Sequence, residues 1–431
     1  MEPPMEPAAG EDPASTIRHH LLGHPIDLAG HLAAHGPLRI PAGRNPTWQQ
    51  ALIETLETSG LTGRGGGAFP TWAKLAMAHA EGGGGIVVVN GMESEPASDK
   101  DKVLFTRAPH LVLDGAQLLA AACGAQEILV CVPGGSDAIA DAVNRALYER
   151  ARERYSVVTE YLVRPPYRFV AGEESALAQW IDRGKLLPVF RPDKGTPLRI
   201  GRLPTLVQNA ETLAHIALIA RYGPEPFRGR GTTERPGTCL VTIAGAVSHP
   251  GVVEVEWGTP LQDIAQRATP YDTPSALLIG GYGGNWIGPA HFATPYSPVA
   301  LGAIGAAAGV GVMIVLAPTA CGLAESARIA RFLAEESSGQ CGPCVYGLTA
   351  IADDLSWLSS GRPDPQLLSR LARRLDQVDG RGGCHHPDGA VGMVRSALRV
   401  FAADVAAHIS GEPCAHVTSP SLLRFPRAVA G

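Results

Sequence analysis

Short apolar runs bounded by glycine alternate with longer stretches of helical period through the first half of the chain. Ile86-Val87-Val88-Val89 and Glu127-Ile128-Leu129-Val130-Cys131-Val132 read as buried strands. Between and around them, helices are predicted over 46–59, 109–122 and 137–155, with a shorter helical stretch at 27–32. Strand–helix alternation predicts an α/β fold with a mostly parallel sheet under covering helices. Such sheets bind ligands beyond the carboxyl ends of their strands, which places Asn90 and its successors at a candidate site. A Gly- and Arg-rich linker follows at 229–236. Residues 238–252 then show two β runs joined by a Pro-Gly turn, with a helix expected near 261–268 and a buried strand at 310–316. From 323 onward the period is helical, over 325–336, 347–359, 365–378 and 390–409, which predicts a small four-helix bundle with its chemistry in the connections.

At 431 residues the chain exceeds one ordinary core, so two to four domains are expected. A net charge of −5 without a basic stripe excludes a nucleic-acid surface. Residues 299–324 carry no charge, but Gly, Ala and Pro318 interrupt them. A loop leading into a strand is therefore expected rather than a membrane span. Residues 1–15 read as an acidic, Pro-rich, disordered lead-in without a secretory signal. Eight cysteines in such a chain argue against a disulfide framework and for the cytoplasm.

Four polar clusters carry candidate chemistry. Gly63-Arg64-Gly65-Gly66-Gly67 precedes Phe69 and Lys74, and a glycine run can expose backbone N–H groups as an anion nest flanked by Arg64 and Lys74. Alone it reads as a plain turn. Asn90-Gly91-Met92-Glu93-Ser94-Glu95 ends a strand, Gly172-Glu173-Glu174-Ser175 opens a helix, and Gln208-Asn209-Ala210-Glu211 follows. Glu93-Ser94-Glu95 by itself would be a solvated turn; its company makes it a cofactor contact. Farther on, Cys341 and Cys344 are spaced as in Cys-x2-Cys, and Cys384 lies forty residues beyond. Closely spaced loop thiolates suit a [4Fe–4S] cluster, each reaching a different iron. Zinc held by these three and a histidine, or no metal at all, stays open. Cys123, Cys131 and Cys239 read as small buried hydrophobes, and Cys321, Cys414, His19, His20 and His31 receive no ligand role.

In this order, from about residue 28 to 412, the clusters resemble the flavin- and NADH-binding subunit of respiratory complex I, the NuoF type. That family includes flavin subunits of NAD-linked hydrogenases and formate dehydrogenases. The resemblance implies an N-terminal extension with short helices at 1–45 and a Rossmann-like FMN/NAD-binding domain at 46–230. It also implies a small β-grasp, ubiquitin-like domain at 237–322, a helical iron–sulfur domain at 323–412 and a tail at 413–431. Gly63, Arg64, Gly65, Gly66 and Lys74 would hold the FMN phosphate and ribityl chain. Asn90, Glu93 and Ser94 would approach the ribityl and ring edge, and Gly172, Glu173, Glu174 and Asn209 would close the site. Phe69, Glu95 and Glu174 resemble the nicotinamide pocket, with Glu95 and Glu174 as catalytic residues.

The implied reaction is hydride transfer from NAD(P)H to FMN and single-electron release through a cluster on Cys341, Cys344 and Cys384. The partner would be a ferredoxin, a thioredoxin-fold [2Fe–2S] subunit or a membrane-associated reductase, the chain being cytoplasmic or peripheral at a membrane complex without inserting. Departures from the family pattern are Met92 for Asp, Gln208 for Asn, Lys194 where an aromatic ring would stack, and Ser338 at the first cluster-ligand position. Met92 predicts an unsatisfied flavin hydrogen bond, and Arg191 with Lys194 could pair with an extra phosphate. The departures leave two other readings, a flavin relay fed by ferredoxin and a redox-silent scaffold.

Overall fold

Ile86-Val87-Val88-Val89 lies at the centre of a five-stranded sheet, and its alternation supplies both of the sheet's faces. In the computed structural model, which describes residues 20–191, 197–362 and 364–426, the strands are β1 (Ile86–Asn90), β2 (Glu127–Cys131), β3 (Thr159–Val163), β4 (Leu198–Ile200) and β5 (Leu203–Asn209). Their order is β3-β2-β1-β5-β4. All neighbours are parallel except β4, which pairs antiparallel with β5 at the edge. Successive side chains point to opposite faces of a strand. Val87 and Val89 therefore enter one core with the helix Pro109–Cys123, while Ile86 and Val88 enter another with Leu129, Leu177 and Val207.

The helices of this half are α1 (Leu28–His35), α2 (Pro46–Ser59), α3 (Thr71–Ala80), α4 (Lys100–Arg107), α5 (Pro109–Cys123), α6 (Asp137–Arg152), α7 (Glu174–Arg183) and α8 (Ala210–Tyr222). Helices α5 and α8 meet at Gly115, where a Cβ would lie 2.0 Å from the Leu213 carbonyl oxygen, so only glycine permits this packing. One buried carboxylate ties four helices together. Asp114 on α5 accepts from Arg150 at 2.9 Å, from Arg221, and from the His31 ring at 2.9 Å. Burial alone would raise this carboxyl, but Arg150, His31 and Arg221 outweigh it and hold it below the usual carboxylate range. Removing the anion strands buried guanidinium charge. Asp114→Ala is expected to lower unfolding stability by about 3–5 kcal/mol, read from urea denaturation; an unchanged midpoint would show that the hub contributes nothing.

A second sheet has the order β7-β6-β10-β8-β9, from β6 (Thr238–Gly245), β7 (Gly251–Glu256), β8 (Ala276–Ile279), β9 (Asn285–Ile287) and β10 (Val312–Leu316). The expected hairpin is β6–β7, and β10 runs parallel to β6. Residues 299–324 contain a short helix, Pro298–Ala303, and β10; among the described residues no helix is long and apolar enough to cross a membrane. One face of this sheet shares a core with α9 (Gly322–Glu335), α10 (Thr349–Ser359), α11 (Leu367–Val378), α12 (His386–Val400) and α13 (Ala402–Ile409). The single helix expected over 390–409 is two. Phe401 breaks it at φ −100°, ψ 33°, turning its ring onto Trp286 and against Gly322. Strands β3, β4, β5, β8 and β9 are not anticipated by periodicity, being short or polar at one end.

Candidate functional site

The glycine loop is closed at its base and open at its tip. Thr62 bridges to Pro70, and the Gly63 amide donates to the Phe69 carbonyl at 2.9 Å, which leaves residues 65–70 exposed. Gly66 adopts φ +96°, a conformation that favours glycine. The open side of Gly65 faces Asn209, whose Cβ would lie 3.3 Å from an added Cβ. Lys74, on the first turns of α3, donates to Glu174 at 2.5 Å, and Arg191 donates to the other Glu174 oxygen at 3.1 Å. Arg64 does not flank the nest with its charge. Its guanidinium is buried, donates to the Thr238 carbonyl at 3.0 Å and lies over Trp257, so its part in the loop is limited to the backbone.

Parallel pairing of β1 and β5 sets Asn90 directly beside Asn209 at the carboxyl edge of the sheet. Asn90 donates to the Gly172 carbonyl at 2.9 Å, and Asn209 donates toward the Asn90 carbonyl at 3.5 Å. Asn209 also caps α8 by accepting from the Glu211 amide. Gly172 touches the next cluster, since a Cβ there would meet the Ser94 hydroxyl at 2.4 Å. Glu173 caps α7 and accepts from Ser175 at 2.6 Å. The four clusters thus form one contiguous set around the strand ends.

Two acidic residues sit differently from the expectation. Glu93, at φ +30°, accepts from the Asp101 and Lys102 amides and the Ser98 hydroxyl, so its carboxylate caps α4 instead of facing the cleft. Glu95 is buried and accepts from the Ala97 and Tyr282 amides. Burial, outweighing those two amides, pushes its carboxyl up to about 7. Met92 is fully buried in the core that holds Val88, Leu177 and Val207, and its side chain is not exposed to the cleft. Phe69 is exposed on the returning arm of the loop, its carbonyl part of the closure at the base. Lys194 lies outside the described residues.

Three participants escaped the sequence reading. Lys100 is buried between Asp101 at 2.8 Å and Glu211 at 3.0 Å and reaches Asn209 at 3.3 Å. Burial opposes its charge, but those carboxylates raise its pKa further still. Tyr282, from the turn between β8 and β9, brings the second sheet against Glu95. Ser337, one place from the expected ligand position, is the hydroxyl bonded to Cys344. None belongs to a recognisable spacing, which is why pattern alone passes them by.

The Cys341–Cys344 turn lies at the start of a helical segment, Pro343–Leu348, with Cys344 buried and Cys341 and Cys384 half-buried. Burial and the hydrogen-bonded Cys341 thiol push Cys344 up to about 12, and Cys384 adds to this. Burial and the nearby Glu173 raise Cys384. Cys341 and Cys344 are thus hydrogen-bonded partners, and Cys384 lies near enough to feel both Cys341 and the Glu173 carboxylate. Ser338 accepts from Gln340 at 3.4 Å. His386 donates to the Leu333 carbonyl at 2.7 Å, and His385 is exposed beside Asp388.

Residues 56–218 match the family described as the Nuo51 FMN-binding domain, and residues 324–408 match the NADH-ubiquinone oxidoreductase-F iron–sulfur binding region. Similar proteins include the F 2 subunit of NADH-quinone oxidoreductase from Rhizobium meliloti, 27% identical over 84% of this chain and 90% of that protein. The F subunit of NADH-quinone oxidoreductase from Streptomyces coelicolor is 28% identical over 84% of each chain. The chain is a divergent NuoF-type family member. A solved NAD+-reducing [NiFe]-hydrogenase in the H2-reduced state superposes with a TM-score of 0.76 at 29% identity over 85% of this chain. The NuoF-type chain spans 63% of that hydrogenase chain, less than two thirds of it.

The residues present fit the groups this family implies. The exposed glycines at 65 and 66 bring bare backbone close to Asn209 and Val310, Lys74 supplies a cation on the following helix, and two amide side chains stand at the strand ends. The Cys341–Cys344 pair with Cys384 nearby fits an iron–sulfur centre.

Proposed function

We propose that this chain oxidises NADH as the FMN-containing flavoprotein subunit of a larger redox assembly and passes electrons through a [4Fe–4S] cluster to a partner protein. Bound FMN supplies hydride acceptance and single-electron release, and the cluster supplies the one-electron way out. One observation carries the reading: the glycine loop, the Asn90–Asn209 pair and the Gly172–Glu174 turn are contiguous at the strand ends, and the Glu173 carboxylate is near enough to Cys384 to raise its thiol pKa.

Lys74 and the backbone of Gly63, Arg64, Gly65 and Gly66 hold the FMN phosphate. Asn90, Ser94, Gly172 and Asn209 orient the rest of the cofactor. Glu174, now tied to Lys74 and Arg191, releases its oxygens toward ligand groups, and Phe69 borders the nicotinamide. Glu93 and Glu95 position the turn from below. With its carboxyl near 7, Glu95 holds or gives up a proton near neutral pH. Cys341, Cys344 and Cys384 hold the cluster, and Ser337 or Ser338 supplies the remaining oxygen.

The finer architecture follows the same reading: residues 46–230 form a Rossmann-like FMN/NAD domain after the 1–45 extension. Residues 237–322 form a β-grasp domain, 323–412 a helical iron–sulfur domain and 413–431 a tail. The acceptor is a ferredoxin, a thioredoxin-fold [2Fe–2S] subunit or a reductase at the inner face of a membrane.

The test is an anaerobic visible spectrum of the purified chain before and after NADH, then NADPH. Prompt bleaching of a flavin band by NADH is expected. A flavin that stays oxidised with both donors would favour the ferredoxin-fed relay, and absence of flavin would overturn the reading.

A further inference from the structure

Cys321 lies far along the chain from His408 and Cys414, which are six residues apart, yet the ligand atoms of all three lie within 4.8 Å of one another. Cys321 is the residue before α9, His408 lies in the last turn of α13, and Cys414 opens the tail. None of the three is among the cysteines assigned to the cluster, and none has a part in the proposed flavin or nicotinamide binding.

Their hydrogen bonds suit ligation. His408 is fully buried and its Nδ1–H donates to the Leu358 carbonyl at 3.2 Å, which fixes the tautomer and leaves the Nε2 lone pair toward the tail. A backbone carbonyl on the far nitrogen is the usual support of a metal-bound histidine. Nε2 now accepts the Cys414 amide hydrogen at 3.2 Å, a single contact that a metal can replace. Cys321 Sγ accepts the Ala324 amide hydrogen at 3.4 Å at the N-terminus of α9, where helix polarity favours a thiolate. Burial and the hydrogen-bonded Cys414 thiol push the Cys321 thiol up to about 12; a metal ligand must give up its proton, so zinc binding here depends on pH.

We propose that Cys321, His408 and Cys414 bind one zinc ion. Two thiolates and one imidazole form a ligand set suited to zinc, with water at the fourth position. Binding releases both thiol protons and involves no redox step. The ion staples the tail to both ends of the helical unit. Beyond Cys414 the tail is held at Glu325 by the Ser421 hydroxyl at 2.7 Å and the Leu422 amide at 3.1 Å, and the Tyr282 hydroxyl donates to the Arg424 carbonyl at 2.6 Å. Tyr282 is also the residue whose amide bonds Glu95. The staple therefore anchors a strap that ends beside the acidic turn. This inference is independent of the flavin reading.

The full chain, purified without chelators and equilibrated with zinc before buffer exchange, is assayed for zinc per chain alongside Cys414→Ala and Cys384→Ala. Cys414 is half-buried, and circular dichroism checks that its variant folds. About one zinc is expected in the parent and in Cys384→Ala, and near none in Cys414→Ala. Cobalt loaded into Cys384→Ala, where the cluster ligand set is broken, should show a thiolate-to-cobalt charge-transfer band that is absent when Cys321 is also replaced by serine. A parent without zinc, a cobalt-loaded Cys384→Ala chain without that band, zinc unaffected by Cys414→Ala, or a Cys321–Cys414 disulfide in chain purified under argon would each overturn the proposal.

Discussion

A Gly65→Val chain is expected to purify folded but without FMN. Gly65 does not require a left-handed backbone, since the positive-φ glycine of the loop is Gly66. Its surroundings are exposed, so the substitution should cost about 1 kcal/mol of stability or less. The added Cβ points at Asn209 from 3.3 Å, and the valine methyls fill the hollow between loop and strand end. That hollow is where backbone N–H groups would meet a phosphate. Flavin per chain should fall at least tenfold, equivalent to about 1.4 kcal/mol or more of binding free energy. Flavin fluorescence after denaturation, set against an unchanged circular dichroism spectrum, measures both halves of the expectation. Parent-level flavin would remove the loop from the site.

Replacing Cys384 by alanine should separate the two halves of the electron path. Cys341 and Cys344 lie on one turn, and Cys384 reaches them from the connection before α12. Without it, two thiols and a serine hydroxyl remain, a weak set for a cubane. Iron should drop from on the order of four per chain toward none. FMN content should hold, because Glu173 and its α7 cap do not depend on the thiol. NADH oxidation with a small one-electron acceptor should persist while transfer to the protein partner fails. Ser338→Cys in the same series should move iron the other way. Iron retained in full by the Cys384→Ala chain would refute the ligand assignment.

The parallel sheet and the flavin-side clusters were legible because valine runs and glycine spacing are local signals. Periodicity revealed β1, β2, α5 and α6, and the loop, Asn90, Gly172 and Asn209 came together as the order of clusters implied. What escaped is non-local. Arg64 looked like a phosphate cation, but it points into the interior because Glu211, the Thr238 carbonyl and the Trp257 face lie there. Glu93 looked like a ligand contact, yet the free amides at the start of α4 claim its carboxylate. Met92 looked like a lost hydrogen bond, but the segment after β1 turns it into the core beside Val88 and Val207. Lys100 carries no motif, and its importance arises only where Asp101, Glu211 and Asn209 converge. His408 and Cys414 are six residues apart, but Cys321 is too remote along the chain for spacing to join it to them.

The register of β1 against β5 has a mechanical meaning. Asn90 and Asn209 are neighbours only because Val87, Val88 and Val89 lie opposite Leu206, Val207 and Gln208. A slip of one residue would exchange inward and outward faces along the whole strand, a penalty the surrounding cores impose at every position. The valines thus act as a jig: apolar atoms with no chemistry of their own set the alignment of two polar side chains at the strand ends. Conservative substitutions deep in β1, out of reach of any ligand, should therefore surface as changes in cofactor affinity before they surface as unfolding.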